Sequence, residues 1–377
     1  MDSRAAARSF SDVSALVKHA PLPIYGYCRL HGGRLLASNG VTDIDLPFGE
    51  SDGNVLIPAQ EMATLYKTLI RAGEAVRWEC DGDRVHVSHT YGDVWLQGLP
   101  ADRYPAATDL EVLPDPLAEY DVKAFLSALR LADRILGTRT GLHCDPNFEG
   151  AFLEVYEDGF SLVAMGGPSL VAYRHQEGDQ PVWSGILPRA TVGFLVKRLS
   201  ASLPDADKVV FSGSSVGARF SFADEHISTR LIEGTYPDWR KILAVRNELP
   251  ANVAVDPFIQ VLELCAIGSA LLHLIPVHLS FSRRRLDIST EHEYGSTQQS
   301  LPTEYQGGRL TLLVNGKLLL DLAKALSEAT EGEAIRILHD GSPHRALRLI
   351  SEDEKVLCVL MPLRDAGESP SKEEESS

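Results

Sequence analysis

At 377 residues the chain is too long for one ordinary core and suits two or three domains. Its 44% hydrophobic and 23% charged residues read as a soluble globular protein, and no run of about 18 apolar residues is present to cross a membrane. A formal net charge of −16 excludes a conventional reader of nucleic acid, because such proteins draw much of their affinity from a basic balance against phosphates. Net charge, however, says nothing of where the charges lie.

The first residues, MDSRAAARSFSD, lack the apolar stretch of a secretory signal; they predict a short amphipathic helix, no convincing first strand after it, and a cytoplasmic location. Next comes an alternating strand with small residues, GRLLASNGVTDI near Leu36. In NVLIPAQEMATLYKTLI a strand runs into a helix, with Pro58 where a helix start tolerates proline. The period-two segment AVRWECDGDRVHVSHTYGDVWLQGL predicts hairpins, with Asp81–Gly82 as a tight turn. A helix is predicted at Val122–Leu136, and then the series repeats: FSLVAMGGPSLVAY near Val163, WSGILPRATVGFLVKRL with Pro188 at the helix start, and KVVFSGSSVGARFSFADEHISTRLI. LIEGTYPDWRKIL at Leu231–Leu243 closes this second round. A helix at Pro257–Ala266 opens a third, with RRLDISTEHEY near Ile288, LTLLVNGKLLLDLAKAL, and IRILHDGSPHRALRLISEDEKVLCVLM with a turn at Asp340–Gly341. The recurrence, at roughly 125–130 residues, predicts three copies of one α+β unit. Boundaries are expected near Pro114–Leu117 and Leu249–Val253, giving units 1–115, 116–250 and 251–364 and a disordered acidic tail, DAGESPSKEEESS, over 365–377.

Several chemical motifs are set aside. Five dispersed cysteines without CxxC spacing argue against a disulfide framework or zinc ribbon, and Cys28, Cys265 and Cys358 sit among apolar neighbours as small buried hydrophobes. GSSVG at Gly213–Gly217 fits the G-x-S-x-G pattern, which would make Ser215 a hydrolase nucleophile, but the motif needs a strand-to-helix turn and here lies between two predicted strands. His86 and His89 fall on opposite faces of a strand and share no metal site. No Walker loop or dinucleotide fingerprint is present, so neither a cofactor nor a metal is expected.

The ordered combination of the repeat, PLPI at Pro21–Ile24, the IPA and LPR helix starts, LIEGTYPDWRKIL and VLCVLMPLR at Val356–Arg364 resembles the bacterial DNA polymerase III beta subunit, the sliding clamp, over about residues 21–364. The resemblance implies three clamp domains per chain, antiparallel sheets outside and helices inside, and a head-to-tail homodimeric ring around double-stranded DNA. Twelve helices spaced about 9 Å apart would enclose a passage at least ~24 Å wide, enough for a duplex. It further implies a non-catalytic processivity factor that captures DNA polymerase and clamp loader subunits through linear peptide motifs. The implied peptide pocket comprises Leu170, Pro237, Lys241, Ile242, Val359, Met361, Pro362, Leu363 and Arg364. Independently of the family, methionine and branched aliphatics make an adaptable apolar pocket that prolines keep rigid; the same segments could equally finish two sheets and pack a domain junction.

The implied DNA-facing bases are Lys67, Arg71, Lys123, Arg130, Arg134, Arg189, Lys197, Arg198, Lys317 and Lys324, which would contact phosphates without reading bases. The helix DPFIQVLELCAIG adds none. The implied dimer interface pairs an edge strand carrying Val94 and Leu96 with one near Thr297–Leu301 (TQQSL), and the usual ionic matching is absent: Asp93 stands in place of a base and TQQSL lacks acids. A further departure is Met165–Leu170, MGGPSL, where the family carries a polar Thr-Asp-Gly-His-Arg-Leu-like stretch; Lys241 also stands where arginine is common, a point charge for a planar fork. These departures favour altered partner or inhibitor preference, as in a specialised paralogous clamp.

Overall fold

The computed structural model describes residues 3–49, 53–71, 77–105, 115–137, 149–176, 178, 180–243, 249–267, 274–293 and 295–364. Its helices among these residues are α1 (Ser3–Val17), α2 (Ala59–Arg71), α3 (Val122–Gly137), α4 (Arg189–Ser202), α5 (Trp239–Leu243), α6 (Val255–Cys265) and α7 (Gly316–Ala329). Four strands separate α1 from α2 (Tyr27–His31, Arg34–Ser38, Thr42–Pro47, Asn54–Pro58), and Arg77–Asp81, Arg84–His89 and Gly92–Gln97 follow α2. The same order of four strands, helix and three strands recurs around α4. It recurs again around α7, with the two-residue strand Glu304–Tyr305 added. Strands precede α3 (Ala118–Asp121) and α6 (Leu249–Ala254); among the described residues none precedes α1. The fold is α+β, and its strand pairings are antiparallel.

The chain divides into two compact units: Met1–Leu126 with Val155–Asp158 and Gln180–Glu233, and Ser127–Glu154 with Gly159–Asp179 and Gly234–Ser377. In the first, a nine-stranded sheet runs Leu99–Pro100, Asn54–Pro58, Tyr27–His31, Arg34–Ser38, Thr42–Pro47, Glu225–Arg230, Gly217–Phe222, Lys208–Gly213, Ala118–Asp121. Alternation builds it: Thr42–Pro47 buries every second residue, so one face is apolar. The middle junction pairs Ile44 with Ile227, and the buried hydroxyls of Thr42, Thr191 and Thr229 form a chain with both spacings 2.8 Å. A separate three-stranded sheet holds Arg77–Asp81, Arg84–His89 and Gly92–Gln97, and its first turn has Gly82 at φ +59, a conformation glycine adopts without a Cβ penalty.

Helix α1 is firmly held in this unit. Phe10 is fully buried between Phe48 and Tyr66, with ring centroids 5.2 and 5.3 Å away, and Val13 is buried beside them. Asp12, 1% exposed, pairs with Arg198 (2.5 Å) and Lys197 (2.6 Å) of α4, and Arg198 also pairs with Glu225 at 2.5 Å.

In the second unit, a continuous antiparallel run takes Gly150–Val155, Phe160–Gly166, Ser169–His175, Val356–Leu360, Leu347–Ser351, Ala334–His339, Leu249–Ala254 and Glu304–Tyr305 in that order. Its central strands Leu347–Ser351 and Val356–Leu360 are buried at every position, which is why VLCVL reads as an unbroken apolar run rather than an alternation. A four-stranded sheet, Gly295–Pro302, Arg285–His292, Pro276–Ser282, Leu310–Asn315, completes the unit. Cys28, Cys265 and Cys358 are buried as expected, and burial pushes the Cys28 thiol up to about 12. Cys144 and the 365–377 segment lie outside the described residues.

Candidate functional site

The pocket residues all belong to the second unit, and the sheet explains how they meet. Strands Phe160–Gly166 and Ser169–His175 form a hairpin whose turn is Gly167–Pro168, with Gly167 at φ +62. Leu170 lies opposite Val359 in the next strand, and both are 2% exposed, so they form the floor. Beyond that strand the backbone N–H of Met361 donates to the Pro168 carbonyl (2.8 Å), and that of Leu363 to the Leu313 carbonyl (2.7 Å). Two hydrogen bonds thus fix an otherwise irregular MPLR segment, leaving Met361 45% exposed, Pro362 and Leu363 half-buried and Arg364 exposed.

Helix α5 is one turn long and too short to persist alone. Side chains secure it at both ends. Arg240 donates two bonds of 3.0 Å to the Glu154 carboxylate on strand Gly150–Val155, and its guanidinium sits 4.1 Å over the Trp239 ring, itself 2% exposed. Glu154 is buried and also accepts from Ser161 Oγ at 2.8 Å. At the other end Arg348 Nη1 donates to the Leu243 carbonyl at 2.6 Å, and Arg348 lies directly opposite Val359. In the sheet order the strands carrying Leu170 and Val359 lie between the strands of the two anchors, Glu154 and Arg348. Just before α5, Tyr236 stacks on Phe152 with centroids 4.9 Å apart, and burial holds its hydroxyl well above the usual tyrosine range. Pro237 is half-buried, Ile242 is 38% exposed, and Lys241 is exposed and paired with Asp238 at 3.1 Å, which holds the Asp238 carboxyl below its ordinary range. The result is a buried apolar floor, Leu170 and Val359, with exposed apolar side chains, Ile242 and Met361, on the flanking segments and the buried Arg348 at its side. Such a surface suits an apolar peptide side chain.

Sequence reasoning missed Arg240, Trp239, Glu154 and Arg348. One signal for them exists: Glu154 is a lone acid inside the apolar strand GAFLEV, and a buried carboxylate requires a cationic partner.

The basic residues separate into three groups. Lys67 on α2, Lys123 and Arg130 on α3, Arg189 on α4 and Lys317 on α7 are exposed. Arg134 Nη2 donates to both carboxylate oxygens of Glu328 (2.7 and 2.8 Å), Lys324 pairs with Glu263 (2.6 Å), and Lys197 pairs with Asp12. Asp321 lies among Arg134, Lys317 and Lys324; burial raises its carboxyl above the ordinary value, and those cations oppose the rise. Arg198 corrects the expectation: it is 5% exposed, with Asp12 and Glu225 on its guanidinium, and cannot face phosphates. Burial works against its charge, but the two carboxylates outweigh burial and hold its pKa above the usual value. Arg71 ends α2, and its side chain lies outside the described residues.

Val94 and Leu96 are half-buried on strand Gly92–Gln97, the edge of the three-stranded sheet. Leu96 lines an open groove of about 600 Å³ with Gln60, Glu61, Thr64, Leu65 and Thr68 of α2. Strand Gly295–Pro302, which includes the TQQSL segment, is likewise an edge, hydrogen-bonded to a neighbour on one side only. Ser215 lies in the hairpin between Lys208–Gly213 and Gly217–Phe222, where Ser214 Oγ accepts from the Val216 and Gly217 amides; a nucleophile elbow needs a helix after the turn, and here a strand follows. Among the described residues no group of three His, Cys, Asp or Glu could hold a metal ion, and no helix is long and apolar enough to cross a membrane.

No family model matches the chain. Among characterised relatives it is 23% identical to the beta sliding clamp of Vibrio cholerae over 358 residues, covering 92% of this chain and 93% of the relative. It is 23% identical to that of Synechococcus elongatus over 290 residues, 74% of each chain. Among solved structures its fold matches the Bartonella birtlesii sliding clamp bound to griselimycin (TM-score 0.81, 19% identity, 97% of this chain and 99% of that one). It also matches the Thermotoga maritima DNA polymerase III beta subunit (TM-score 0.79, 15% identity, 97% and 98%). With sequence relatives along its length and a shared fold throughout, the chain is similar to the bacterial beta sliding clamps at 20–23% identity and has the fold of the DNA polymerase III beta subunits.

Proposed function

We propose that this chain is a DNA sliding clamp, a non-catalytic, cytoplasmic processivity factor that encircles duplex DNA and tethers a polymerase through a linear peptide. The observation that carries this reading is α5, bearing the exposed Ile242, tied by Arg240–Glu154 and Arg348–Leu243 to the sheet in which buried Leu170 and Val359 pair and lead to exposed Met361. A buried carboxylate held by a half-exposed arginine that also stacks on Trp239 rigidifies one short helix beside an apolar surface.

Three clamp domains, 1–115, 116–250 and 251–364, are supported by the recurring element order. Closure of two chains into a ring is supported by the two edge strands, Gly92–Gln97 and Gly295–Pro302, each with one row of backbone groups available to a second chain. Val94 and Leu96 would pack across that junction without ionic help. The exposed bases on α2, α3, α4 and α7 would face the duplex, fewer in number than the sequence suggests because α7 and its neighbours neutralise several of them. Residence on DNA would then depend on ring opening rather than on phosphate affinity. The apolar Met165–Leu170 hairpin supports a clamp with shifted partner or inhibitor preference. Titration of a polymerase-type clamp-binding peptide tests the pocket: the intact protein should bind, and Met361→Ala should weaken binding at least tenfold. Absence of binding by either protein would remove the pocket assignment.

A further inference from the structure

Four arginines gather at one end of the four-stranded sheet in the second unit. Arg283 and Arg284 form the turn between strands Pro276–Ser282 and Arg285–His292, with Arg285 next in line. Phe281 pairs with Leu310 in the neighbouring strand, so Arg309, one residue before Leu310, stands beside Ser282. With strands about 4.8 Å apart, the four Cα positions fall within roughly 10 Å of one another. All four side chains are exposed. The turn is held rigidly: its Arg284 and Arg283 carbonyls accept from the Thr303 and Tyr305 amides (3.1 and 3.2 Å), and Ser282 Oγ donates to the Arg285 carbonyl at 2.9 Å. Of the nearby carboxylates, Asp287 pairs with Arg285 at 2.9 Å and Glu304 is exposed on the segment that pins the turn. Four guanidinium groups against two carboxylates leave a net +2 at a fixed point of a chain whose total charge is −16.

This contrasts with α7 and the end of α3, where Lys324 and Arg134 are already paired with glutamates. Lys317 lies beyond the far end of strand Leu310–Asn315, about 20 Å from the arginine cluster along a six-residue strand, so the cluster is separate from the helix face. Guanidinium forks match phosphate oxygens bidentately and are weakly hydrated, which suits them to nucleic acid backbones. We propose that Arg283, Arg284 and Arg309 form a second DNA-backbone site, outside the helix-lined passage, that binds phosphates without reading sequence. The clamp reading is the reason a DNA backbone is the favoured occupant over an acidic protein segment.

The test is the salt dependence of binding of the full chain to a short linear duplex, from whose ends a ring slips, so that phosphate affinity alone is read. Arg283→Gln with Arg284→Gln should flatten the log–log slope by about 1.8, two phosphate contacts at ~0.9 each. Lys67→Gln serves as the helix-face control and should leave that change in place. An unchanged slope in the double variant, or no duplex binding by the unaltered chain, overturns the site. So does loss of binding to a polyglutamate peptide with duplex binding unaltered, which would assign the patch to an acidic protein. Normal binding of the clamp-motif peptide beside an unchanged slope would reject this site and leave the clamp reading intact.

Discussion

Replacing Arg240 with methionine isolates the device on which the pocket depends. Arg240 gives two hydrogen bonds of 3.0 Å to Glu154, whose side chain is 7% exposed, while its own side chain is 46% exposed. Removing one member of a fully buried pair costs ~3–5 kcal/mol, and the open arginine side lowers that to about 2–3 kcal/mol because water screens it. Loss of the stacking on Trp239 adds ~0.5–1 kcal/mol at such a site. The sum, near 3 kcal/mol, is close to a hundredfold in the docking equilibrium of α5, and peptide affinity should fall with the docked fraction, tenfold or more. Urea unfolding and peptide titration would be measured for Arg240→Met, Glu154→Gln and the double variant. Because the double variant leaves no buried charge unpaired, it should recover about 1.5 kcal/mol or more relative to the sum of the singles. Additive effects together with unaltered peptide affinity would refute the claim that this bond holds the pocket.

Three further outcomes follow from the same structure. Arg198→Met strands the buried Glu225 carboxylate and leaves Asp12 with Lys197 alone, so the urea midpoint should fall by the equivalent of about 3–5 kcal/mol at neutral pH; an effect below ~1 kcal/mol, the range of a surface salt bridge, would contradict the burial. His339 is 1% exposed, packed on Phe281 and Tyr305, and its Nδ1 accepts from the Gly341 amide, so the neutral ring is the form that fits; burial lowers its pKa below 6.5 against the pull of Asp340. The unfolded chain therefore binds this proton first, and stability should fall as pH drops below about 6.5 towards the lowered folded value. His339→Gln should lose that part of the pH dependence in thermal unfolding between pH 7 and 5, and an unchanged profile would contradict it. Ser215→Ala should match the unaltered protein in peptide binding, and a fluorophosphonate probe should not label Ser215; labelling would revive the hydrolase reading.

Much of this architecture is local and therefore legible. The period-two segments became hairpins, Asp81–Gly82 became the turn with positive φ, and Val122–Leu136 and Pro257–Ala266 lie within one or two residues of α3 and α6. The pocket strands could be read because apolar runs such as VLCVL report burial directly. Pairings between distant residues could not be read. Arg198 has the look of a solvated helix base, and its burial is decided by Asp12, 186 residues earlier in the chain. Arg240 depends on Glu154, 86 residues away, and Arg348 on the Leu243 carbonyl, 105 away. Charge on a helix face is a local signal; whether a counter-charge waits there is a tertiary fact.

The central claim is topological, and covalent closure tests it most directly. Asp93 and Gln298 are exposed on the two edge strands proposed to meet between chains. A variant carrying Asp93→Cys and Gln298→Cys, incubated with closed circular DNA and joined by a bis-maleimide, should form a covalent dimer that stays on the circle through detergent and high salt. Linearising the circle should then free it. A cross-linked protein that leaves closed circles as readily as linear DNA, or a chain that sediments only as a monomer at micromolar concentration, would contradict the sliding clamp account.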